Sequence, residues 1–484
     1  MYSSPYRRVR FKVLTSRLVI SPLLWIVATW SSAAAAEPIA VEQAGDRFVN
    51  FVLSEIETTR QAIPTMTRAA DVAARRIVEQ EGELLSAGDL SFSLEPVWRA
   101  GGIAFAKRYL PDKESAKAQL QAASEELPFY RTKEFIDDFS VESADGNDVV
   151  LLGYESETVE ARELLPTCRQ LLNSGAFVVF FGSQASALQL EKSLGRPENL
   201  VAITHQVPDG GVLDIAGWPE KICSGRSLAN RLYLWTFQAE LIAAFMRLGK
   251  IPGILLSVTY ESPQVWNLPL MYDYRFIPAF HVTHVPPGVL GDAYLNGIRD
   301  IVAAIVPPQR DKFRKAAAWL AEARRAKRTS YALLIHGLDP VQLPGDPGLF
   351  RVYSEGNAYY PQIEREMRAD EVALFVGYNW YPDELAAAVD RAHGKQILCF
   401  TLVQHQPPKP ATYGEVGELE HFTTFDDLPQ SENRIYIDLH FAEYNAVLKI
   451  PDYPIPALES SAFAEDVVYW HLVADTIELL AGAK

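Results

Sequence analysis

The stretch that decides the fold runs from Val149 to Ser183 and reads VVLLGYESETVEARELLPTCRQLLNSGAFVVFFGS. It opens on an apolar run that stops at Gly153 and closes on a second apolar run that stops at Gly182. Between these runs, residues 159–172 carry apolar side chains at helical spacing. Two buried strands joined by a helix are typical of a parallel sheet that is covered on both faces.

Segments of the same kind flank this stretch and recur in the second half of the chain. The apolar runs and helical periodicities predict helices over residues 68–81, 309–327 and 382–392, and strands over residues 84–87, 331–335, 372–376 and 396–402. The residues 207–225 and 404–420 are rich in glycine and proline, so we expect loops there. Residues 263–288 are aromatic and proline-rich and are expected to cross between the halves. The predicted fold class is α/β and doubly wound, with helices on both faces of each short parallel sheet.

Particular residues of the first half recur in order in the second half. Leu84-Leu85-x-x-Gly88 matches Leu333-Leu334-x-x-Gly337, and Leu152-Gly153-Tyr154 matches Val376-Gly377-Tyr378. A third match keeps one constant offset: Trp235, Ala239, Glu240 and Ile242 recur as Trp470, Ala474, Asp475 and Ile477. Three ordered matches predict an internal duplication. We therefore expect two similar lobes, residues 37–260 and 261–484, with an insertion in the first lobe over residues 107–145.

The first 36 residues have the organisation of a secretory signal. Five basic residues between Arg7 and Arg17 precede an apolar run from Leu18 to Trp30, and small residues follow up to Ala36. The apolar run is short for a bilayer span, which needs about 20 residues. We therefore predict a cleaved signal over residues 1–36, export to the periplasm or the extracellular space, and no stable membrane insertion afterwards; an uncleaved anchor is the alternative.

Composition excludes several classes of function. The formal net charge is −16 for the full sequence, and the predicted signal contributes only positive charge, so the mature chain is strongly acidic and nucleic acid is not an expected partner. Cys168, Cys223 and Cys399 are too few and too widely spaced for a metal motif or a disulfide framework. His281 with His284, and Asp438 with His440, have permissive spacing but weak context, so we predict no metal site and no cofactor.

The ends of the predicted strands of the first lobe are rich in hydroxyl groups. Ser91 and Ser93 follow the first strand, Ser156 and Thr158 follow the second, and Ser183 follows the third. Parallel strands bring such loops to one edge of the sheet, where ligands of open α/β folds bind. Hydroxyls at a helix N-terminus suit an anion, but ordinary N-capping uses the same residue types, and Glu155 and Glu157 place negative charge beside any anion.

The stretch from Ala70 to Gly102 resembles the opening of a sugar-isomerase (SIS) phosphosugar-binding domain. In that family a helix leads to a short strand, a Gly/Ser loop, a glutamate and an Arg-Ala-Gly-Gly sequence, which are here Glu95 and Arg99 to Gly102. The stretch 153–165 resembles the second loop of the family, although its usual Ser-x-Ser-Gly appears as Glu155-Ser156-Glu157-Thr158. The resemblance implies a tandem arrangement similar to two-domain isomerases and to the isomerase half of glucosamine-6-phosphate synthase.

This resemblance implies a sugar or sugar-phosphate ligand and adds Glu95 to the candidate ligand-binding residues. A homodimer stays open, because the sequence does not identify the oligomeric state. Three functions stay open at this point. The chain is interpreted first as an exported protein of unknown role on a tandem SIS-like fold, which is non-catalytic or binds a sugar-type ligand. The alternatives are an active isomerase-type enzyme on a phosphorylated or anionic sugar, and a periplasmic solute-binding protein, which would show strands crossing between lobes and a hinged cleft. The sequence identifies no catalytic residue.

Overall fold

The structure is a computed structural model of the 484-residue chain. It describes residues 43–97, 99–114, 116–117, 133–208, 210–257, 263–272, 274–277, 282–334, 345–354, 359–377, 381–402, 424–441, 445–453 and 455–482. The predicted signal segment, the predicted loop 404–420 and the predicted domain boundary at 260/261 lie outside these residues and stay predictions.

The first half of the chain builds a parallel sheet of six strands in the order β3-β2-β1-β4-β5-β6. Its strands are β1 (Leu84–Gly88), β2 (Lys107–Tyr109), β3 (Ser140–Val141), β4 (Val149–Gly153), β5 (Phe177–Ser183) and β6 (Leu200–His205). Its helices are α1 (Ala44–Glu79), α2 (Leu90–Leu94), α3 (Lys133–Phe139), α4 (Glu157–Asn173), α5 (Gln184–Leu194) and α6 (Arg226–Arg247). A short antiparallel hairpin, β7 (Gly211–Leu213) and β8 (Ile222–Ser224), precedes α6.

The second half builds a parallel sheet of five strands in the order β10-β9-β11-β12-β13. Its strands are β9 (Ser330–Leu334), β10 (Arg351–Ser354), β11 (Val372–Val376), β12 (Lys395–Phe400) and β13 (Arg434–Asp438). Its helices are α7 (Pro263–Tyr272), α8 (Val289–Arg325), α9 (Tyr359–Glu366), α10 (Asp383–Arg391) and α11 (Ser461–Ala481), and the hairpin before α11 pairs β14 (Ala446–Leu448) with β15 (Ala457–Glu459).

Both sheets turn one face toward a shared layer of four long helices, α1, α6, α8 and α11. Alternate side chains of each strand explain this layering, because successive residues of a strand point to opposite faces. In β4, Val149 and Leu151 join the central core, whereas Val150 and Leu152 pack on the outer side with α4. In the second sheet the outer core includes side chains of α9 and α10. The predicted α/β class, with helices on both faces of each sheet, is confirmed.

The repeated residues fall at equivalent places in the two halves. Gly153 ends β4, which lies between β1 and β5, and Gly377 directly follows β11, which lies between β9 and β12. The hairpin strands and helix starts keep the offset of 235 residues that separates Arg231 from Asp466: β7 corresponds to β14, β8 to β15, and the start of α6 to the start of α11. The internal duplication is therefore visible in the fold.

The two halves exchange reciprocal contacts at these hairpins. Cys223 in β8 and Leu458 in β15 are equivalent residues, and both have a positive φ, 66° and 63°. The Cys223 N–H donates to the Gly345 carbonyl of the second half at 3.0 Å, and the Leu458 N–H donates to the Gly101 carbonyl of the first half at 2.8 Å. Reciprocal contacts between equivalent residues are what a twofold arrangement of two copies produces.

The long helices are capped in the same reciprocal way. Glu240 in α6 accepts the N–H groups of Gly288 and Gly291 at the start of α8, at 2.9 and 3.0 Å. Asp475, the equivalent acid in α11, accepts the N–H of Gly45 at the start of α1 at 2.7 Å. A carboxylate at a helix N-terminus satisfies unpaired N–H groups and is stabilised by the helix dipole. This explains why the sequence match retains an acid at this position.

Three predictions require correction. The predicted loop 207–225 contains the hairpin β7–β8. The predicted insertion over residues 107–145 contains two strands, β2 and β3. Strand β2 has a counterpart in β10 of the second sheet, so within the described residues only β3 is an additional strand of the first sheet. The match of Leu84 with Leu333 is wrong in register. When Gly153 is aligned with Gly377, Val149 is equivalent to Ala373. Leu84 pairs with Val149 and Tyr331 pairs with Ala373, so Leu84 is equivalent to Tyr331.

Candidate functional site

The three predicted loops of the first half do begin at one edge of one sheet. β1, β4 and β5 are adjacent and parallel, with Gly88 paired to Gly153 and Gly153 paired to Phe181. Among the predicted ligand-binding residues at this edge, Ser91 and Thr158 are exposed, Ser156 is half-buried, and Ser93, Glu95 and Ser183 are buried. Whether these residues bind a ligand stays a prediction.

Asp89 occupies the place at this edge where an external anion was expected. It follows β1 and caps α2, where it accepts the N–H of Phe92 at 3.1 Å. Its other carboxylate oxygen accepts the N–H groups of Glu155 and Ser156 at 2.7 and 2.8 Å. These two N–H groups directly precede α4, so they belong to a helix N-terminus of the kind that binds anions. The backbone donors therefore already hold a carboxylate that belongs to the chain.

Ser156 and Ser183 have the capping role that was the alternative interpretation. The Ser156 hydroxyl accepts the N–H of Val159 at 3.4 Å at the start of α4. The Ser183 hydroxyl accepts the N–H of Ser186 at 3.1 Å at the start of α5 and lies 2.9 Å from the Ser186 hydroxyl. Both hydroxyls thus satisfy helix N–H groups, as N-cap residues do.

Two arginines supply positive charge next to Asp89, and both are engaged with other side chains. Arg108 donates to the Ser93 hydroxyl at 2.9 Å. Arg226 forms an ion pair with Glu160 and lies 3.9 Å from Glu157. Burial raises the pKa of Asp89, an effect opposed by its three backbone hydrogen bonds and by Arg226. The edge is therefore internally compensated: each cation faces an acid of the chain.

Glu95 belongs to a buried group of charges where the two halves meet, which we call the interlobe cluster. Arg231 in α6 lies at its centre, 2.6 Å from Asp466 of α11, 3.5 Å from Glu155 and 3.9 Å from Glu95. Arg99 lies 3.0 Å from Glu459 of β15 and 3.9 Å from Glu95. The cluster comprises Glu95, Arg99, Glu155, Arg231, Glu459, Glu465 and Asp466.

The environment pushes the pKa values of neighbouring acids apart. Burial raises the pKa of Glu155 to about 8, against the attraction of Arg231. Burial acts in the same direction on Glu95, but Arg99, Arg231 and the Trp235 indole N–H, which donates at 2.9 Å, outweigh it and lower its pKa. Burial also raises the pKa of Asp466 to about 6. Acids with opposite shifts in one place are characteristic of sites that hold or move protons.

Arg231, Asp466, Glu465 and Asp89 were not among the predicted site residues. Arg231 and Asp466 are separated by the same 235 residues as the matched tryptophans, so the repeat itself carried a signal for this pair. A cation and an acid at equivalent positions of a duplicated fold can meet across its approximate twofold axis. Asp89 gave no such signal, because its partners lie 66 and 67 residues away.

Other candidate sites receive less support. Within the described residues no group of three or more His, Cys, Asp or Glu side chains is arranged to hold a metal ion; His440 Nδ1 lies 3.5 Å from Asp438, and His281 is outside those residues. A pocket of about 270 Å³ between α5 and β6 contains none of the predicted ligand-binding residues. No helix in the described part of the chain combines the length and apolar content needed to span a membrane.

Comparison with known proteins finds loose similarity to solved structures. The C-terminal domain of glucosamine-fructose-6-phosphate aminotransferase from Francisella tularensis is 10% identical with a TM-score of 0.39, over 89% of this chain and 95% of that chain. A proposed phosphosugar isomerase from Clostridium difficile 630 is 10% identical with a TM-score of 0.35, over 88% and 93%. A proposed sugar-binding protein from Salmonella typhimurium LT2 is 11% identical with a TM-score of 0.37, over 88% and 98%.

No protein-family profile matches the chain, and no curated protein matches it. Similarity at this level assigns no ligand and no reaction, so function is inferred from the residues of this chain.

Proposed function

We propose that this chain is an exported, non-catalytic binding protein on a duplicated α/β fold, and that its first-sheet edge takes an uncharged or amino sugar rather than a sugar phosphate. The observation that carries the proposal is the Asp89 carboxylate on the N–H groups of Glu155 and Ser156, at 2.7 and 2.8 Å. A phosphate bound to those donors would have to displace it.

Electrostatics supports the exclusion of phosphate. Each charge-assisted hydrogen bond that a phosphate would have to take over is worth about 1.5–3 kcal/mol. Glu157, which is half-buried, lies at the same edge. Arg226 already pairs with Glu160 and lies 3.9 Å from Glu157, and Arg108 faces Asp89 itself. A sugar hydroxyl can donate to the Glu157 carboxylate, and an ammonium group is attracted by it, whereas a phosphate dianion is repelled.

One observation favours the second candidate, an isomerase-type enzyme. Isomerisation of a sugar moves a proton between neighbouring carbons, which needs a base and an acid with different pKa values. Glu95, whose pKa is lowered, and Glu155, whose pKa is raised to about 8, both approach Arg231. Both side chains are at most 4% exposed, which disfavours direct contact with a substrate and leads us to rank this candidate second.

Calorimetric titration of the mature protein with neutral sugars, amino sugars and sugar phosphates tests the proposal. We expect heat with members of the first two groups and none with the phosphates. The double variant Ser156→Ala/Thr158→Ala should weaken the best ligand by about tenfold, which corresponds to the loss of about 1.4 kcal/mol.

The matched control is Ser174→Ala, which removes a hydroxyl at the opposite end of α4, where it donates to the Leu171 carbonyl at 2.8 Å. This variant should bind as the parent does. Binding of a sugar phosphate more tightly than of its neutral parent sugar would contradict the proposal, as would the absence of heat with every neutral and amino sugar.

Export is the second part of the proposal, and it is supported by the basic, apolar and small-residue order of residues 1–36. Expression of the full chain in a bacterial host, followed by cell fractionation and N-terminal sequencing, tests it. We expect a soluble product in the exported fraction that begins near Glu37. A product that keeps residues 1–36 and stays with the membrane fraction would favour the anchor instead.

A further inference from the structure

The interlobe cluster carries more acid than base in a place that is shielded from water. Among the described residues it contains five carboxyl groups and two guanidinium groups. The five acids are at most 4% exposed. Unpaired ionised carboxylates are costly in such a place and take up protons instead. The composition alone therefore points to bound protons.

Glu465 is the acid with the least compensation. It lies in α11, it is fully buried, and neither of its carboxylate oxygens accepts a hydrogen bond from any described residue. The charged groups that face it are Arg99 from the loop after α2, Arg231 from α6, Glu459 from β15 and Asp466 from α11 itself. Two of these four neighbours are acids, so ionisation of Glu465 would add a third negative charge among them.

Glu155 is the second acid of the interlobe cluster that lacks full compensation, and it also approaches Arg231. The charged groups facing it are Arg231 from α6, Asp89 after β1, Glu95 after α2 and Asp466 from α11. Among the charged groups that face Glu155 in the described part of the chain, Arg231 is the cation, and it is shared with Asp466 at 2.6 Å. The Tyr294 hydroxyl of α8 also borders the cluster, where it donates to the Glu459 carbonyl at 3.3 Å.

The same residues join the two halves of the molecule. The Arg231–Asp466 pair links α6 to α11, and the Arg99–Glu459 pair links the loop after α2 to β15. The Arg99–Glu459 pair lies beside the hydrogen bond from the Leu458 N–H to the Gly101 carbonyl. A change of charge in the interlobe cluster therefore acts directly on the contacts that join the two halves.

We propose that the interlobe cluster is a proton-operated clamp, which takes up protons on Glu465 and Glu155 to hold the halves together and weakens their junction when those protons leave. With both protons bound, three carboxylates face two guanidiniums. After their release five carboxylates face the same two guanidiniums inside a junction that shields them from water, and Glu155 repels Asp466 of α11 across it. Because ionised carboxylates are costly in such a place, their release weakens the junction that buries them.

The direction of the pH dependence follows from linkage. Burial raises the pKa of Glu465 well above its usual value and that of Glu155 to about 8, so the folded state holds protons that the unfolded chain has already released. The stabilisation by these protons is complete below about pH 4.5 and is lost as pH rises through the folded-state values. Each proton released can change the junction equilibrium by up to about tenfold per pH unit.

Hydrogen–deuterium exchange of the full mature chain, measured at about pH 6 and about pH 9, tests the clamp. Exchange times are corrected for the pH dependence of the intrinsic amide exchange rate. We expect peptides that contain Gly101 or Leu458 to lose protection at the higher pH by more than tenfold beyond the correction. Glu465→Gln supplies a neutral amide of the same shape, so only Glu155 still releases its proton, and both peptides should lose less protection between the two pH values than they do in the parent.

Glu220→Gln, which neutralises an exposed acid, is the control and should behave as the parent does. If Glu465→Gln does not fold, Glu155→Gln provides the same comparison. Equal corrected protection of the parent at both pH values would overturn the proposal. So would loss of protection in the glutamine variants that matches the loss in the parent.

Discussion

At the scale of single residues, Asp89 is the residue on which the proposed function depends most. A serine at the same position could also cap α2, but it would leave the N–H groups of Glu155 and Ser156 open to an external anion. The sequence showed that Asp89 follows a strand. It could not show which donors the carboxylate reaches, because those donors are brought to it by the pairing of β1 with β4.

Gly101 is a second residue whose identity is fixed by its surroundings. Its φ is +80°, and a Cβ atom built on it would lie 2.7 Å from the Leu458 nitrogen of the second half. Gly101→Ala should therefore combine the cost of a left-handed backbone with a clash against backbone atoms that cannot move independently. We expect a loss of about 1–3 kcal/mol in the free energy of unfolding beyond the backbone cost, measured by chemical denaturation.

Gly249→Ala separates these two costs. Gly249 has a similar φ of +72°, but among the described residues no atom beyond its own chain neighbours lies within 4 Å of a Cβ built there. This variant should show the backbone cost alone, about 1 kcal/mol. Equal losses for the two variants would mean that the contact between Gly101 and β15 is not tight in solution.

At the scale of elements, the buried strands were the most predictable features. β4, β5 and β11 are apolar runs that stop at or beside a glycine, and their structural bounds differ from the predicted ones by two residues at most. The long helices were predicted too short. α1 contains Pro64 and α8 contains Pro307 and Pro308, and a proline is usually read as a helix end, although packing in the central layer stabilises these helices across it.

The hairpins before α6 and α11 could not be predicted from local pattern. Each of their strands has three residues, and the segment around β7 contains Asp209-Gly210-Gly211 and Trp218-Pro219, which indicate turns. What stabilises these hairpins is tertiary: each makes a hydrogen bond to a glycine of the other half. Only the constant offset between the halves relates the two segments in the sequence.

At the scale of the whole molecule, the arrangement of the halves bears on the class of protein. In a periplasmic solute-binding protein, strands crossing between lobes and a hinged cleft were expected. Within the described residues the two sheets exchange no strands, and one continuous core includes side chains of both halves. This arrangement favours a fixed relation of the halves, so the third function considered from the sequence has the least support.

The site was less predictable than the fold for a physical reason. The loops that carry its hydroxyl residues begin at one sheet edge, because parallel strands place successive loops together, and ligand binding by these residues stays a prediction. Their chemistry depends on charges contributed from both halves, such as Arg231 and Asp466, which adjacent-residue patterns do not encode. The duplication was the one sequence feature that could connect them.

The central claim is that the chain's own carboxylate fills the anion position, and a paired titration tests it most directly. The parent and Asp89→Ser are titrated with the same sugar phosphate; serine keeps the cap on α2 and frees the donors of Glu155 and Ser156. The control for the loss of one acid is Asp383→Ser. Asp383 lies at the start of α10, the helix of the second half that is equivalent to α4. We predict that Asp89→Ser binds the sugar phosphate at least about tenfold more tightly than the parent does, and that Asp383→Ser shows no such gain. Equal binding by the parent and Asp89→Ser would contradict the account.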